Sequence, residues 1–417
     1  MTHSFNRYTT VSALDIGSSK ICCLIAKIGR DKKINIVGYG YNASKGIKNG
    51  IITDINQATY SVCNAVECAE QMANERINNV IINVSGDKIK STIKSSTIAI
   101  NRNKPVTDID TNKVIEKSTN KLNIEGNELI HCLTTGYRLD LGEEIKDPHN
   151  LYGENLSVNL LLGLVPEVQY RGLAYVVENA HLDISQKAFS AYASGLSCLV
   201  DDEKELGATI IDIGGGCTNI ATFKNGYPVH FSSIGVGGNN ITSDIAWGLT
   251  TSATHAERLK TLHGCAFLTS KDEDENINVY PVGEEDDTLI KQVPKSDLIK
   301  IISPRVEEIF ELINNKLTEQ GLKDIHSHRV VLTGGCSQLS GIREIASLIL
   351  DKQIRVGRPR NILNLPEKLY NPSFSTAVGL LMFNAAHSER KPGKILHKTI
   401  NGNSQLTRII DWLKQSF

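Results

Sequence analysis

Ala13-Leu14-Asp15-Ile16-Gly17-Ser18-Ser19-Lys20 and Ile210-Ile211-Asp212-Ile213-Gly214-Gly215-Gly216-Cys217-Thr218 carry one signature at two distant places in the chain. In each, a short apolar strand runs into Asp-x-Gly and then small residues. A tight turn after a buried strand leaves backbone N–H groups unpaired and pointing outward, a concavity suited to phosphate oxygens. Glycine serves where φ is positive or where a phosphate must approach the main chain. An Asp closing each strand can hold a hydrated Mg²⁺ over the phosphates, because Mg²⁺ prefers one or two carboxylates and keeps its waters. One such turn is weak. Two of them imply a nucleotide clamped between two similar halves.

The first turn leads into a second strand at 21–26, a hairpin rather than the strand-to-helix step of a P-loop, and no GxxxxGK[ST] occurs. Strand, turn and strand recur at 209–223, which makes an internal duplication the simplest reading. The chain of 417 residues is too long for one hydrophobic core, so several subdomains are expected. Its 40% hydrophobic and 22% charged residues are ordinary for a soluble globular protein. A net charge of -1 argues against a nucleic-acid binder that works by phosphate neutralisation. The nine cysteines show no CxxC pair and no zinc spacing, and read as small core residues in a reducing compartment. Residues 1–10 lack the apolar stretch of a signal peptide, and no apolar run is long enough to span a membrane.

Further strands are expected at 34–41, 79–84 and 329–333. Helices are expected at 56–74, 173–179, 186–199, 239–250, 252–263, 297–315, 339–350 and 371–386. Between 87 and 166 the texture changes: strands at 93–100 and 157–164 flank a helix at 110–121, a small α+β module inserted into the first half. Acidic clusters at 272–275 and 284–287 read as a solvated loop or a docking surface.

After a polar stretch at 387–404 comes the segment 405–417. Leu406, Ile409, Ile410, Leu413 and Phe417 share one helical face, with Trp412 at its border. From Glu389 onward six cations face two anions, a net of about +4, which favours an anionic bilayer. A short amphipathic helix on a tether suits a lipid headgroup region; docking on the body or on a sister subunit is the alternative. One such tail binds weakly, so polymerisation and membrane attachment would reinforce each other by avidity.

Asp-x-Gly-[Ser/Thr] early, Asp-x-Gly-Gly midway and Thr333-Gly334-Gly335 late resemble the two phosphate loops and the adenosine loop of the actin–Hsp70–sugar kinase ATPases. Within that superfamily the chain resembles the bacterial cell-division FtsA family. Val236-Gly237-Gly238-Asn239-Asn240-Ile241-Thr242-Ser243-Asp244-Ile245-Ala246 is similar to its GGxxxTxDIA segment. Ala256-Glu257-Arg258-Leu259-Lys260 with His263-Gly264-Cys265-Ala266 is similar to its AExLK…HGxA helix. Tyr137-Arg138-Leu139-Asp140, Ile145-Lys146-Asp147-Pro148 and Gly153 match its inserted subdomain, and Asn371-Pro372-Ser373-Phe374-Ser375-Thr376-Ala377-Val378-Gly379-Leu380 its last connecting helix. The chain departs from the family at Lys88, Leu141 and His149-Asn150-Leu151, all in or beside the inserted module.

The resemblance implies an α/β, actin-like two-lobed fold of duplicated ribonuclease-H-like domains, with the inserted α+β subdomain and the tethered C-terminal helix. Its implied parts are a first lobe at 1–86 and 167–200 closed by a helix at 370–386, and the insertion at 87–166. The second lobe has its core at 201–224 and 305–369 and an outer subdomain at 225–304. Tether and membrane helix follow at 387–404 and 405–417. The implied ligands are ATP and Mg²⁺, the latter held through water by Asp15 and Asp212. Gly17, Ser18, Ser19 and Gly214, Gly215, Gly216 would bracket the phosphates, and Lys20 either reaches a phosphate or faces solvent. Gly237 and Gly238 would open a helix N-terminus toward the nucleotide. Glu257 and Lys260 would meet ribose and adenine, or form a surface ion pair; Gly334 and Gly335 would let the base approach. Gln186 sits where actin orients the attacking water, or is a helix-surface Gln; a neutral amide implies slow hydrolysis, a switch rather than a turnover engine.

The implied role is an adaptor that polymerises head to tail and holds the tubulin-like protein FtsZ at the inner face of the cytoplasmic membrane, with later division proteins on the inserted module. Arg305, opening the helix 305–315, is a candidate contact for an acidic FtsZ peptide, or an ordinary solvated Arg. A pilus-assembly adaptor resembling PilM is the runner-up. A sugar kinase or exopolyphosphatase would need a strong base in the cleft, and an Hsp70-type chaperone a further domain.

Overall fold

The computed structural model describes residues 8–387 apart from 30, 32, 121–123, 269–271, 273, 283–289, 322–328 and 361. The expected membrane helix 405–417, its tether from 388 and the acidic cluster 284–287 lie outside the described residues.

In chain order the first lobe opens with β1 (Thr9–Ile16), β2 (Lys20–Ile28), β3 (Ile34–Ala43), the short pair β4 (Ile47–Lys48) and β5 (Ile51–Ile52), α1 (Ile55–Ala73) and β6 (Asn79–Val84). The inserted module contributes β7 (Lys90–Ala99), α2 (Asp108–Thr119), β8 (Asn127–Leu139), β9 (Glu144–Ile145) and β10 (Asn155–Pro166). The first lobe resumes with α3 (Glu167–Asn179), β11 (Asp183–Phe189) and α4 (Ser190–Cys198). The second lobe holds α5 (Asp201–Leu206), β12 (Ala208–Ile213), β13 (Thr218–Lys224), β14 (Tyr227–Ile234), α6 (Gly238–Gly248), α7 (Ala253–His263), β15 (Asn276–Val279), β16 (Lys291–Pro294), α8 (Lys295–Glu319), β17 (Arg329–Thr333), α9 (Ile342–Leu350) and β18 (Gln353–Val356). Helix α10 (Ser375–His387) closes the body.

The duplication is explicit in the two large sheets. The first runs β3-β2-β1-β6-β11 and the second β14-β13-β12-β17-β18. Both join an antiparallel meander to two parallel strands through the first strand of the lobe. The last six residues of β1 and all of β12 are buried because both sheet faces are covered, which is why each reads as a nearly continuous apolar run. Helix α1 lies close on β3: a Cβ added at Gly38 or Gly40 would fall 2.3 and 2.2 Å from the carbonyls of Ala69 and Ala65. Below the cleft, α10 crosses α4 so closely that a Cβ on Gly379 would lie 1.9 Å from the Ala193 carbonyl.

The inserted module is a β7-β10-β8-β9 sheet with its own apolar cluster around Val114, Leu156, Val158 and Leu160. Its long strand β8 and the second-lobe strand β14 are absent from the sequence expectations. The expected helix 186–199 divides into strand and helix, with Gln186 on β11 and only Ser190 onward helical. The expected helix 297–315 runs from Lys295 to Glu319 straight through Pro304, so Arg305 lies in its interior rather than at its start. A proline there removes one helical N–H, and the buried stripe Leu298, Ile299, Ile302, Val306, Ile309, Phe310 and Ile313 holds the helix across it.

Candidate functional site

The two Asp-x-Gly turns close identically. The Gly17 N–H donates to the Lys20 carbonyl at 3.0 Å, and the Gly214 N–H to the Cys217 carbonyl at 3.0 Å. The amides of Ser18, Ser19, Gly215 and Gly216, between these closures, have no hydrogen-bond partner among the described residues. The turns face each other across the cleft: a Cβ on Gly215 would lie 1.8 Å from Ser19 Oγ, and one on Gly216 2.7 Å from Ser18 Oγ. Ser19 Oγ also donates across the lobes to Asn239 Oδ1 at 2.9 Å.

Asp15 and Asp212 line a cavity of about 120 Å³ between the turns. Burial pushes the Asp15 carboxyl up to about 7, with Lys20 opposing and Asp212 reinforcing the shift. Burial also raises Asp212, against the bonds its Oδ2 accepts from Ser194 Oγ at 2.7 Å and Thr376 Oγ1 at 2.8 Å. Two buried carboxylates beside four unpaired amides fit a bound phosphate chain bridged by a divalent cation. Lys20 lines the same cavity instead of facing solvent. Its Nζ donates to the Ser373 carbonyl at 2.5 Å and lies 3.3 Å from the Phe374 ring centroid. Gly334 is required by conformation, with φ at 84° and an added Cβ 2.4 Å from Asp212 Oδ1.

A second cavity of about 520 Å³ shares Ser19, Gly214, Gly215 and Gly335 with the first, and is also lined by Gly238, Glu257 and Lys260. Its size would admit a group as large as a nucleoside. The expectation that Gly237 and Gly238 present a free helix N-terminus is corrected. The Gly238 and Asn239 amides donate to the Gly214 and Gly215 carbonyls at 2.9 and 2.7 Å, and the Gly237 amide to Asn240 Oδ1 at 3.0 Å. These glycines shape the second turn by close packing, since a Cβ on Gly237 would lie 2.6 Å from the Gly214 carbonyl.

Two other expectations change. Gln186 lines neither cavity; its Oε1 accepts from Asn384 Nδ2 at 3.4 Å, at a register shift between β11 and β6. Arg305 is not a free cation, because Nε and Nη2 bind the two oxygens of Asp244 at 2.6 and 3.0 Å and Nη1 pairs with Glu308. The cavity also holds residues that the sequence left unmarked. Asn83 accepts from the Ile16 amide at 2.7 Å and bonds Ser190 Oγ at 3.1 Å, thereby fixing the end of β1 just ahead of the turn. A polar Asn closing the apolar run of β6 was the available signal.

Residues 209–379 match the family profile "Cell division protein FtsA", and residues 86–162 match "SHS2 domain inserted in FTSA". The cell division protein FtsA of Rhizobium meliloti is 38% identical across 99% of this chain and 96% of its own length. The chain belongs to the FtsA family. The FtsA of Escherichia coli K12 is 31% identical across 98% of both chains. Among solved structures, the PilM-PilN type IV pilus biogenesis complex aligns over 90% of this chain and 98% of the other, with TM-score 0.63 at 14% identity. MreB5 of Spiroplasma citri bound to ADP aligns over 90% and 95%, with TM-score 0.54 at 14% identity. At such identity these likenesses concern the fold, which is the mixed α/β actin-like one. The profile for the FtsA insertion falls on the β7–β10 module, and the main FtsA profile spans the second turn, the α6–α7 segment and Gly334-Gly335.

Proposed function

We propose that this FtsA-family chain is an ATP-responsive adaptor that anchors FtsZ to the inner face of the cytoplasmic membrane at the division septum. It polymerises head to tail, and its inserted module receives later division proteins. The observation that carries the nucleotide part is the pair of facing turns, whose four unpaired amides and two buried carboxylates converge on one cavity. That the MreB5 structure, of the same fold, is bound to ADP supports a nucleotide as the ligand class. Asp15 and Asp212 would hold Mg²⁺ through its waters, where it would offset the charge gathered between phosphates and carboxylates. Lys20, fixed by Ser373 and Phe374, supplies one positive charge on the same wall. With Gln186 away from the cavity, the chain's own residues bind and orient phosphate, and the nucleotide serves as a switch on assembly.

The membrane part rests on the amphipathic pattern at 405–417, since among the described residues no helix is long and apolar enough to cross a bilayer. Partial burial of five apolar side chains, each at most about 1.5–3 kcal/mol, must also offset immobilisation, so a lone tail binds reversibly. Flotation of the full chain on anionic vesicles with Mg·ATP, with and without FtsZ, tests the adaptor. Both proteins should rise together, and Ile409→Glu with Trp412→Glu should leave both at the bottom. Flotation of the double variant, or of the chain without FtsZ when both are present, overturns the reading.

A further inference from the structure

Helix α10 ends at His387, and its Phe383 meets Tyr192 of α4 edge-on, with ring centroids 6.0 Å apart. Tyr192 also lines a cavity of about 320 Å³ that shares no residue with the two cavities of the cleft. Leu196 of α4, Phe223 of β13 and Pro228 of β14 complete an apolar floor. The rim is α5, where Asp201 pairs with Lys204 at 3.1 Å and Glu205 with Lys146 of the inserted module at 2.5 Å. Asp202 is exposed and has no ion-pair partner among the described residues. Val200 and Leu206, at the two ends of this rim, are 37% and 79% exposed. An apolar floor, apolar ends and a charged rim are what an amphipathic helix needs to insert an anchor side chain.

The chain itself supplies such a helix close by. His387 lies one turn past Phe383, about 6 Å along the axis of α10. A random coil of the length of 388–404 spans about 20 Å. Beyond it, Leu406, Ile409, Ile410, Leu413 and Phe417 share one face of the helix read from the sequence. A segment tethered at that range reaches a millimolar effective concentration, so a contact too weak to hold a free peptide is still occupied. The excess of cations beyond His387 complements the exposed Asp201 and Asp202. We propose that 405–417 docks its apolar face in this cavity of its own chain when no bilayer is present. Body and membrane then compete for the same side chains, and docking weakens the attachment of a single chain. This rests on the membrane reading of the tail above.

Trp247→Phe removes an 88%-exposed indole and leaves Trp412 as the single tryptophan of the full chain. In that parent, acrylamide quenching without lipid reads docking, and binding to phosphatidylcholine–phosphatidylglycerol vesicles reads competition. Trp412 should be shielded at every protein concentration, and Ile409→Glu should open it. Leu196→Gln places an amide in the cavity floor and should open Trp412. It should also raise vesicle affinity about tenfold, the factor for freeing a tail held about nine-tenths of the time. Leu206→Ser removes an exposed contact and should raise that affinity about threefold; it carries the test if the glutamine variant does not fold. The proposal falls if Trp412 of the parent is as open as in Ile409→Glu, or if a folded cavity variant changes neither readout. Shielding that grows with protein concentration assigns the cavity to the tail of a second copy, and also overturns it. A parent that binds vesicles and has Trp412 open without them sinks this inference alone. One that shields Trp412 and never binds vesicles sinks the membrane reading, and the competition with it.

Discussion

Gly215→Ala separates closure of the cleft from stability of the fold. Gly215 is not among the positive-φ residues, so alanine brings no backbone strain there. Its Cβ would lie 1.8 Å from Ser19 Oγ, 2.8 Å from Ser19 Cβ and 3.0 Å from Asn239 Oδ1. Rotating Ser19 removes the first clash and breaks its 2.9 Å bond to Asn239, but the Cβ contact at 2.8 Å remains. Against an ordinary contact of 3.4 Å, the turns must part by roughly 0.6 Å after that rotation and roughly 1.6 Å without it. Misplacement of ligand-binding groups by about 1 Å costs up to about 100-fold. Affinity for Mg·ATP should therefore fall about 10- to 100-fold, or about 1.4–2.8 kcal/mol. Unfolding stability should move by less than about 0.5 kcal/mol, as for other substitutions away from the core.

Calorimetry with Mg·ATP beside a urea unfolding curve reads both quantities. Ser19→Gly supplies the control, since it deletes both offending Ser19 atoms. The single variant Ser19→Gly should bind more weakly than wild type, yet in the Gly215→Ala background it should restore affinity, a coupling of the kind double-mutant cycles measure. Wild-type affinity in Gly215→Ala, or an equally large loss in the double variant, would refute the facing-turn geometry.

Arg355→Met strips the main partner from Glu203, whose 8%-exposed side chain accepts from Arg355 Nε at 2.7 Å and Nη2 at 2.5 Å and keeps the Val200 amide at 3.1 Å and Arg329 at 3.6 Å. A buried carboxylate that loses its bidentate guanidinium should cost up to about 3–5 kcal/mol at neutral pH, less whatever the Val200 amide and Arg329 retain. Burial raises the Glu203 carboxyl, but Arg355, the Val200 amide and Arg329 bring it below its usual 4.5. A depressed carboxyl stabilises above 4.5 and loses that contribution as pH falls through its folded value, whereas an unpaired buried one is relieved by protonation. The gap between wild type and variant in urea midpoint should narrow from pH 7 to 4; a constant gap contradicts the pairing. Phe231→Ala should cost about 3–5 kcal/mol, because its buried ring lies 5.4–5.6 Å from Phe189, His131 and Tyr192, which come from the first lobe and the inserted module. A loss below about 1 kcal/mol would show those rings do not pack as described.

The turns were legible because their local rule is complete: a strand buried on both faces, an Asp, a glycine and small residues lie within eight positions. What stayed hidden depends on contacts from elsewhere. Tyr227-Pro228-Val229-His230-Phe231 carries a proline and polar residues that do not read as a core strand, yet β14 is buried because the inserted module covers it. The 186–199 stretch has small residues compatible with helix throughout, and pairing with β6 pulls its first part into the sheet. Arg305 read as free because Asp244 is 61 residues away, and the Gly238 amide read as free because its acceptor belongs to the second turn. In each case local propensity was sound and a distant partner decided.

The same distant contacts bear on how the proposed switch in the cleft would reach the inserted module. That module is continuous in chain with the first lobe and tied to it where Lys187 pairs with Glu128. It also grips the second lobe: Ser91 Oγ donates to the Phe231 carbonyl and accepts from the Phe231 amide, both at 2.8 Å, and Lys146 pairs with Glu205 at 2.5 Å. A change of angle between the lobes cannot leave all of these contacts intact. The exposed Lys146–Glu205 pair is worth at most about 1 kcal/mol and yields easily, whereas the Ser91 bonds sit beside the buried Phe231 ring and resist. If nucleotide changes the angle of the cleft, as proposed above, the module would pivot near Ser91, and by linkage a partner that favoured one pose of the module would change nucleotide affinity by the same factor.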